Sequence, residues 1–259
     1  MIEQKIPLFS SGNLLTQDML ESMKEHTIQA SVLNYCGYSD GILCGCEITT
    51  SNEVITVGKG ILLLEGEPFF ITCPVSVRYS QTNQYMILRA VIGDREASDN
   101  FAVRQLTIEL VTEEKLREKD IELCRFKLQS GAVLRTKYRD FEDMETEYDT
   151  VHFTYAKWSS MDKSSVSPVV LKMFLKEAMK YQMEEEIDQS FCIQLMNLNG
   201  RSMNRQALEF YIAKRLEQEY KELTNKEIYQ GLKNVLVRIK KGRPEKSGSP
   251  RKAQRILVD

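Results

Sequence analysis

The feature that most constrains the fold is a series of short apolar segments separated by glycines, SDGILCGCEITTSNEVITVGKGILLLEGEPFFIT, at residues 39–72. Glu65-Gly66 separates the apolar runs 61–64 and 68–71, and this pair predicts a tight β-hairpin because glycine tolerates positive φ. Three further strands are predicted at 84–92, 103–111 and 121–128. Short, regular strands with Gly and Asn turns predict an antiparallel β-sandwich or open barrel.

The glycines of this stretch are assigned to turns and scaffold positions: Gly41, Gly45, Gly58, Gly60 and Gly66. A phosphate-binding loop needs G-x-x-x-x-G-K-[ST] ahead of a helix, and the chain contains no such sequence. The glycines therefore do not indicate an ATPase or a helicase.

The second half of the chain has helical periodicity. Ser167-Pro168 predicts a helix start, further helices are predicted at 188–199 and 203–220, and Thr224-x-x-Glu227 is a capping box for a last helix. Together with the predicted sheet, this gives an α+β fold in which a β-sandwich or open barrel is followed by a helical domain.

We expect four regions along the chain. Residues 1–140 form a β-rich assembly domain with a short N-terminal helix, capped by Thr16, whose Leu20 and Met23 face inward. An acidic and aromatic linker (141–166), a helical domain (167–241) and a basic, disordered tail (242–259) follow.

Composition limits the classes of partner. The 259 residues are 42% hydrophobic and 28% charged, with a formal net charge of −2, which argues against general affinity for nucleic acid or membranes. No apolar run approaches the roughly 18 residues needed to span a bilayer, and no signal-peptide pattern is present. We therefore expect a cytoplasmic protein with no membrane insertion.

Cys44-Gly45-Cys46 is the cluster that most resembles a metal site. Zinc ligands are usually paired two to four residues apart and need a second pair, whereas here the spacing is one. In a strand the two thiols share a face, so packing explains them. We expect no metal and no cofactor.

A catalytic constellation is not evident. The two histidines, His26 and His152, have no nucleophile motif beside them. The carboxylates of 142–149 could supply an acid–base pair only if their environments separated their pKa values, which a solvated linker does not do. We expect a protein that is not an enzyme, with an unseen hydrolase site as the weakest hypothesis.

The basic residues at the C-terminus raise a nucleic-acid hypothesis, because cationic tails bind phosphate by counterion release. The candidate contacts are Lys240, Lys241, Arg243, Arg251, Lys252 and Arg255. No aromatic residue lies among them to stack on bases, so a solvated tail is favoured.

Aromatic and apolar residues indicate possible interfaces with other proteins. Trp158 lies where the two halves should meet, and its aromatic neighbours suit either an interface or a core. The last helix carries more apolar surface than a small bundle needs, so Leu232, Leu236 and Ile239 are predicted to face a partner.

Two stretches resemble phage tail and baseplate proteins: LFSSGNLLTQDML, and the segment that begins YSDGILCGCEIT. The pattern is carried by Asp40-Gly41-Ile42, Gly45-Cys46-Glu47-Ile48, Ile55-Thr56-Val57, Gly60-Ile61 and Gly66. IELCRFKLQSGAVLR also suits a prophage or contractile-injection protein of Gram-positive bacteria. The resemblance covers the first half and implies an early β-module in a structural assembly subunit.

The leading hypothesis is therefore a structural subunit of a phage tail, baseplate or related contractile injection particle. It would act as a homo- or hetero-oligomer with other tail or baseplate proteins, and would pass from the cytoplasm into the virion or particle. The alternative is a cytoplasmic adaptor that binds nucleic acid through its tail.

Overall fold

The computed structural model describes residues 6–51, 53–98 and 100–241. Five α-helices and nine β-strands lie within them, with two short 3-10 turns at Glu113–Lys115 and Glu142–Glu145. The elements are α1 (Gln17–Asn34), β1 (Gly41–Gly45), β2 (Ile48–Ser51), β3 (Val54–Val57), β4 (Gly60–Leu64), β5 (Glu67–Ile71), β6 (Val75–Arg78), β7 (Tyr85–Ala97), β8 (Ala102–Thr112), β9 (Ile121–Lys127), α2 (Pro168–Ala178), α3 (Glu186–Met196), α4 (Arg205–Leu216) and α5 (Asn225–Lys241). The order is therefore a helix, an antiparallel β region and a helical region.

The strands form three antiparallel sheets of three strands each, in the orders β1-β4-β5, β2-β3-β6 and β8-β7-β9. The predicted hairpin is present: Leu64 pairs with Glu67, and both turn residues, Glu65 and Gly66, have positive φ. None of the sheets closes on itself in the part of the chain that the structure describes. The mixed α and β fold is confirmed, whereas the sandwich or barrel is not.

Local signals set the helix starts in the second half. The Ser167 side chain accepts a hydrogen bond from the Val169 amide at 3.2 Å, one residue beyond Pro168. At the start of α5, Glu227 Oε2 accepts from the Thr224 amide at 2.7 Å, and Thr224 Oγ1 accepts from the Glu227 amide at 3.2 Å. This reciprocal pair is the predicted capping box.

A single hydrophobic core joins the two halves. It contains the inward residues of the sheets and of α2–α5, and Phe141 stacks on Tyr229 of α5 with ring centroids 4.7 Å apart. The Tyr229 hydroxyl also donates to the Phe141 carbonyl at 2.6 Å. The β region and the helices are therefore packed on each other.

Residues 141–166 differ from the solvated linker that the sequence suggested. Phe141, Met144, Val151 and Trp158 are all buried in the core. The segment can be both acidic and buried because Arg135 neutralises Asp143 with two hydrogen bonds of 2.7 and 2.8 Å.

Candidate assembly surface

The N-terminal arm, which we define as residues 6–34, projects apolar side chains into solvent. Among the described residues, no side chain of 6–40 belongs to the hydrophobic core, whose first member along the chain is Ile42. The large apolar side chains that the arm exposes are Ile6, Leu8, Phe9, Leu14, Leu15, Leu20, Met23, Ile28, Val32 and Leu33. Such a concentration of exposed apolar surface marks an interaction site.

The helix of the arm is formed by local signals. Thr16 Oγ1 accepts from the Met19 amide at 3.4 Å, Asp18 suits the first turn, and Gln17 donates to Glu21 at 2.8 Å. The sequence predicted the start of this helix but not its environment. Leu20 and Met23, expected to face inward, are 50% and 47% exposed.

The expected interface residues lie elsewhere. Trp158, Leu232, Leu236 and Ile239 are all buried within the chain's own core, with Leu232 at 0% exposure. The stripe of α5 faces α2 and α4 and the aromatic residues beside them, which supply enough surface to cover it. These four residues therefore do not lie on a surface that a partner could contact. The arm takes their place as the candidate interface.

Three glycines of the opening stretch, Gly41, Gly45 and Gly60, lie where other backbone segments approach within 3 Å of the position of an added methyl group. Gly41 begins β1 and Gly45 ends it. Gly58 lies between β3 and β4, Gly60 begins β4, and Gly66 lies in the hairpin turn between β4 and β5. A methyl group on Gly60 would collide with the backbone nitrogen and the Sγ atom of Cys46. Glycine at position 60 is thus required by packing.

Burial suppresses the chemistry of the central thiols. It raises the pKa of the Cys46 thiol to about 12, with a smaller contribution from Cys44, and also raises the pKa of Cys124. No group of three or more metal-ligating side chains was found in residues 6–51, 53–98 and 100–241. The thiol groups at positions 46 and 124 are neutral packing groups at pH 7.

The acidic segment is held by ion pairs. Arg135 and Arg139 bind Asp143 and lower its pKa well below the ordinary value, while Lys127 binds Glu147 at 2.7 Å. His152 is also buried, with its Nε2 atom 2.9 Å from the Thr146 carbonyl. The carboxylates are thus paired with basic side chains within the fold, and His152 is hydrogen-bonded to the backbone.

Two surface depressions have volumes of about 480 and 280 Å³. The larger contains Arg205, which binds the carbonyl groups of Ser164 and Leu223, and Glu209, which accepts from the Tyr220 hydroxyl at 2.8 Å. The smaller lies between α2 and the end of α3 and is mainly apolar.

The basic C-terminal candidates are only partly within the described chain. Lys240 and Lys241 end α5, and Lys240 Nζ lies 3.2 Å from Glu177 Oε1. Arg243, Arg251, Lys252 and Arg255 lie outside the described residues. Within the described residues, no helix is long and apolar enough to cross a membrane.

Comparison with known proteins gives no matching family model and no matching curated protein. Among solved structures, the chain is similar to one in the cryo-electron microscopy structure of the type VI secretion system TssK-TssF-TssG baseplate subcomplex, at 10% identity and a TM-score of 0.41, with 93% of this chain and 100% of that chain covered. It is also similar to the crystal structure of TssK, at 8% identity and a TM-score of 0.34, with 90% and 69% covered. A chain of the baseplate complex from the type VI secretion system matches at 10% identity and a TM-score of 0.35, with 91% and 100% covered. The structural neighbours are thus type VI secretion baseplate proteins, at similarities too low to carry an argument about this chain.

Proposed function

We propose that this protein is a structural assembly subunit of a phage tail, baseplate or related contractile injection particle. One observation carries the proposal: the N-terminal arm displays ten large apolar side chains that the chain's own core does not cover. Leaving such a surface in water is unfavourable by about 25 cal/mol per Å², so a protein partner is its natural environment.

The resemblance in sequence supports the choice of a tail or baseplate particle. One of the two stretches that resemble tail and baseplate proteins, residues 8–20, lies within the arm, and the other begins at Tyr38 and runs through β1–β5. The ionisable groups beside the depressions and in the acidic segment are bonded within the fold, which suits a scaffold.

The test is incorporation into a particle. Tagged full-length protein and a variant lacking residues 1–34 should be expressed in the producing cells, and high-molecular-weight particles isolated by sedimentation. We expect the intact protein in the particle fraction at a fixed ratio to tail or baseplate proteins, and the truncated protein in the soluble fraction. Intact protein that never sediments with such particles would refute the proposal.

A matched control distinguishes loss of contact from loss of fold. The variant Leu20→Ala with Met23→Ala keeps the arm's length and removes apolar surface only. It should remain folded by circular dichroism and should show reduced incorporation.

A further inference from the structure

The smaller surface depression, between α2 and the end of α3, is a groove lined by leucines. Leu171, Leu175, Leu195 and Leu198 line it, and its volume is about 280 Å³. Met196 also lines this leucine groove and is 51% exposed. A hollow of this composition favours apolar side chains over water.

Three consecutive carboxylates lie at the other end of the same two helices. Glu184, Glu185 and Glu186, which we call the acidic corner, are exposed where the chain turns from α2 into α3. In the described part of the chain, none of them pairs with a basic side chain. Glu186 suits the first turn of α3, but adjacent carboxylates repel one another. A cationic segment would therefore stabilise the acidic corner.

Helix α5 ends beside the acidic corner. Lys240 Nζ lies 3.2 Å from Glu177 Oε1 and 6.0 Å from the centre of the Tyr181 ring. Tyr181 precedes Glu184 by three residues, a separation of at most about 10 Å. Residues 242–259, the tail, therefore start next to the acidic corner.

The sequence of the tail is complementary to this surface. Its five basic residues and two acidic ones, Glu245 and Asp259, give a net charge of +3. The apolar run Ile256-Leu257-Val258 follows the last basic residue, and Asp259 follows the run. On the body, the acidic corner comes first, then the leucine groove, which Lys172 also lines. This match in the order of charges specifies how the tail would lie.

The tail is also long enough to reach the groove. Residues 242–255 precede the apolar run, and fourteen extended residues span up to about 46 Å. Helix α3, which separates the acidic corner from the far end of the groove, has 11 residues and is about 16 Å long.

We propose that the tail binds its own chain, with its basic residues along the acidic corner and Ile256-Leu257-Val258 in the leucine groove. A segment that has no core of its own can become ordered on a preformed surface. Because the tail is attached, its effective concentration at the groove is of millimolar order, so weak contacts are sufficient. Sequence patterning predicts a disordered tail because it considers the segment without this surface. Docking of the tail is independent of the proposed assembly role.

Disulfide trapping in the full-length protein tests the contact. In a background of Cys36→Ser and Cys73→Ser, Leu257→Cys is combined either with Met196→Cys in the groove or with Ile193→Cys as the control. Ile193 lies on the same helix outside the groove, at 58% exposure against 51%. Under mild oxidation, the groove pair should cross-link within one chain roughly tenfold faster than the control pair. Peptide mapping identifies the bonded cysteines, and circular dichroism checks that both variants are folded.

A second pair of variants tests the role of charge. Glu184→Gln with Glu185→Gln should slow cross-linking of the groove pair about threefold, the effect expected from losing exposed ion pairs. Glu114→Gln with Glu118→Gln makes the same change of charge in the loop between β8 and β9 and should leave the rate nearly unchanged.

Three outcomes would overturn the inference. Equal cross-linking rates for the groove and control pairs would show that the tail does not occupy the groove. An equal effect of the two charge variants would show that the acidic corner does not hold the tail. Cross-links that form only between chains would make a second copy the occupant. None of these results affects the test of particle incorporation, which depends on the arm.

Discussion

Two helices of this protein carry several large apolar side chains and place them in opposite environments. In α5, Ile228, Leu232, Val235, Leu236 and Ile239 are buried against the chain's own core. In α1, by contrast, Leu20, Met23, Ile28, Val32 and Leu33 are exposed. Apolar residues at helical spacing therefore indicate a helix face that has to be covered. They do not specify whether the same chain or a partner covers it.

Neighbouring elements account for the difference. Helix α5 follows α2, α3 and α4 closely along the chain and contacts α2 and α4, so its stripe meets apolar surface within the same fold. Beyond the C-terminal end of α1, the chain joins the body where the Ser39 amide donates to the Ser160 carbonyl at 2.9 Å. Along α1, the side chains of Leu20, Ile28 and Val32 remain exposed.

The largest expected contrast is between a charge in α5 and the same charge in α1. Leu232→Asp buries a carboxylate without a partner and should cost more than about 4 kcal/mol, enough to unfold much of the population. Leu20→Asp, half-exposed in α1, should change the free energy of unfolding of the monomer by no more than about 0.5 kcal/mol. Urea denaturation at low protein concentration measures both. Equal losses in free energy of unfolding at the two sites would contradict the claim that α5 is buried in the core and α1 is not.

An effect of intermediate size is expected for two acidic side chains, Asp143 in the acidic segment and Asp18 in the arm, which should differ in how much each stabilises the fold. Arg135 holds the pKa of Asp143 below its unfolded value, so the carboxylate stabilises the fold above about pH 4 and loses that contribution as the pH falls below it. Asp143→Asn should therefore cost about 2–3 kcal/mol at pH 7, and the cost should shrink towards pH 3. Denaturation of both proteins across this pH range provides the check.

Asp18→Asn in the arm is the control for that experiment, and its effect should stay within about 0.5 kcal/mol at every pH. A cost for Asp143→Asn that is independent of pH would mean that packing, and not charge, holds the segment.

Local sequence signals predicted only the parts of the fold that local interactions determine. The hairpin at Glu65-Gly66 and the capping box at Thr224 each depend on a few adjacent residues, and both are present. Burial of 141–166 was missed because it depends on Arg135, which neutralises Asp143 within the folded loop. From the sequence alone, the carboxylates of 142–149 were expected to be solvated.

The candidate site was the least predictable part. Periodicity assigned Leu20 and Met23 to the interior and Leu232 to an interface, and the structure reverses both assignments. The concentration of apolar residues in 6–15, ahead of a helix and without strand alternation, was the available signal for an exposed arm. Long-range packing decides which stripe is covered, and one sequence does not specify it.

The smallest expected effect concerns thiol reactivity. Cys36, just beyond the arm's helix, and Cys73 are exposed and should react with iodoacetamide at pH 8, while Cys46, Cys124 and Cys192 stay protected by burial and raised pKa values. Mass spectrometry of timed samples counts the modified positions. Reaction of Cys124 as fast as Cys73 in the native protein would contradict the packed core.

Hydrogen exchange of residues 17–34 in the free protein and in the isolated particle tests the central claim most directly. An isolated 18-residue helix of this composition is marginal in water, so the amides of α1 should exchange quickly in the free protein. In the particle, the account predicts that these amides become protected, while those of α5 exchange slowly in both states. Amides of α1 that exchange equally fast in the free protein and in the particle would contradict the claim that the arm is the surface through which this protein assembles.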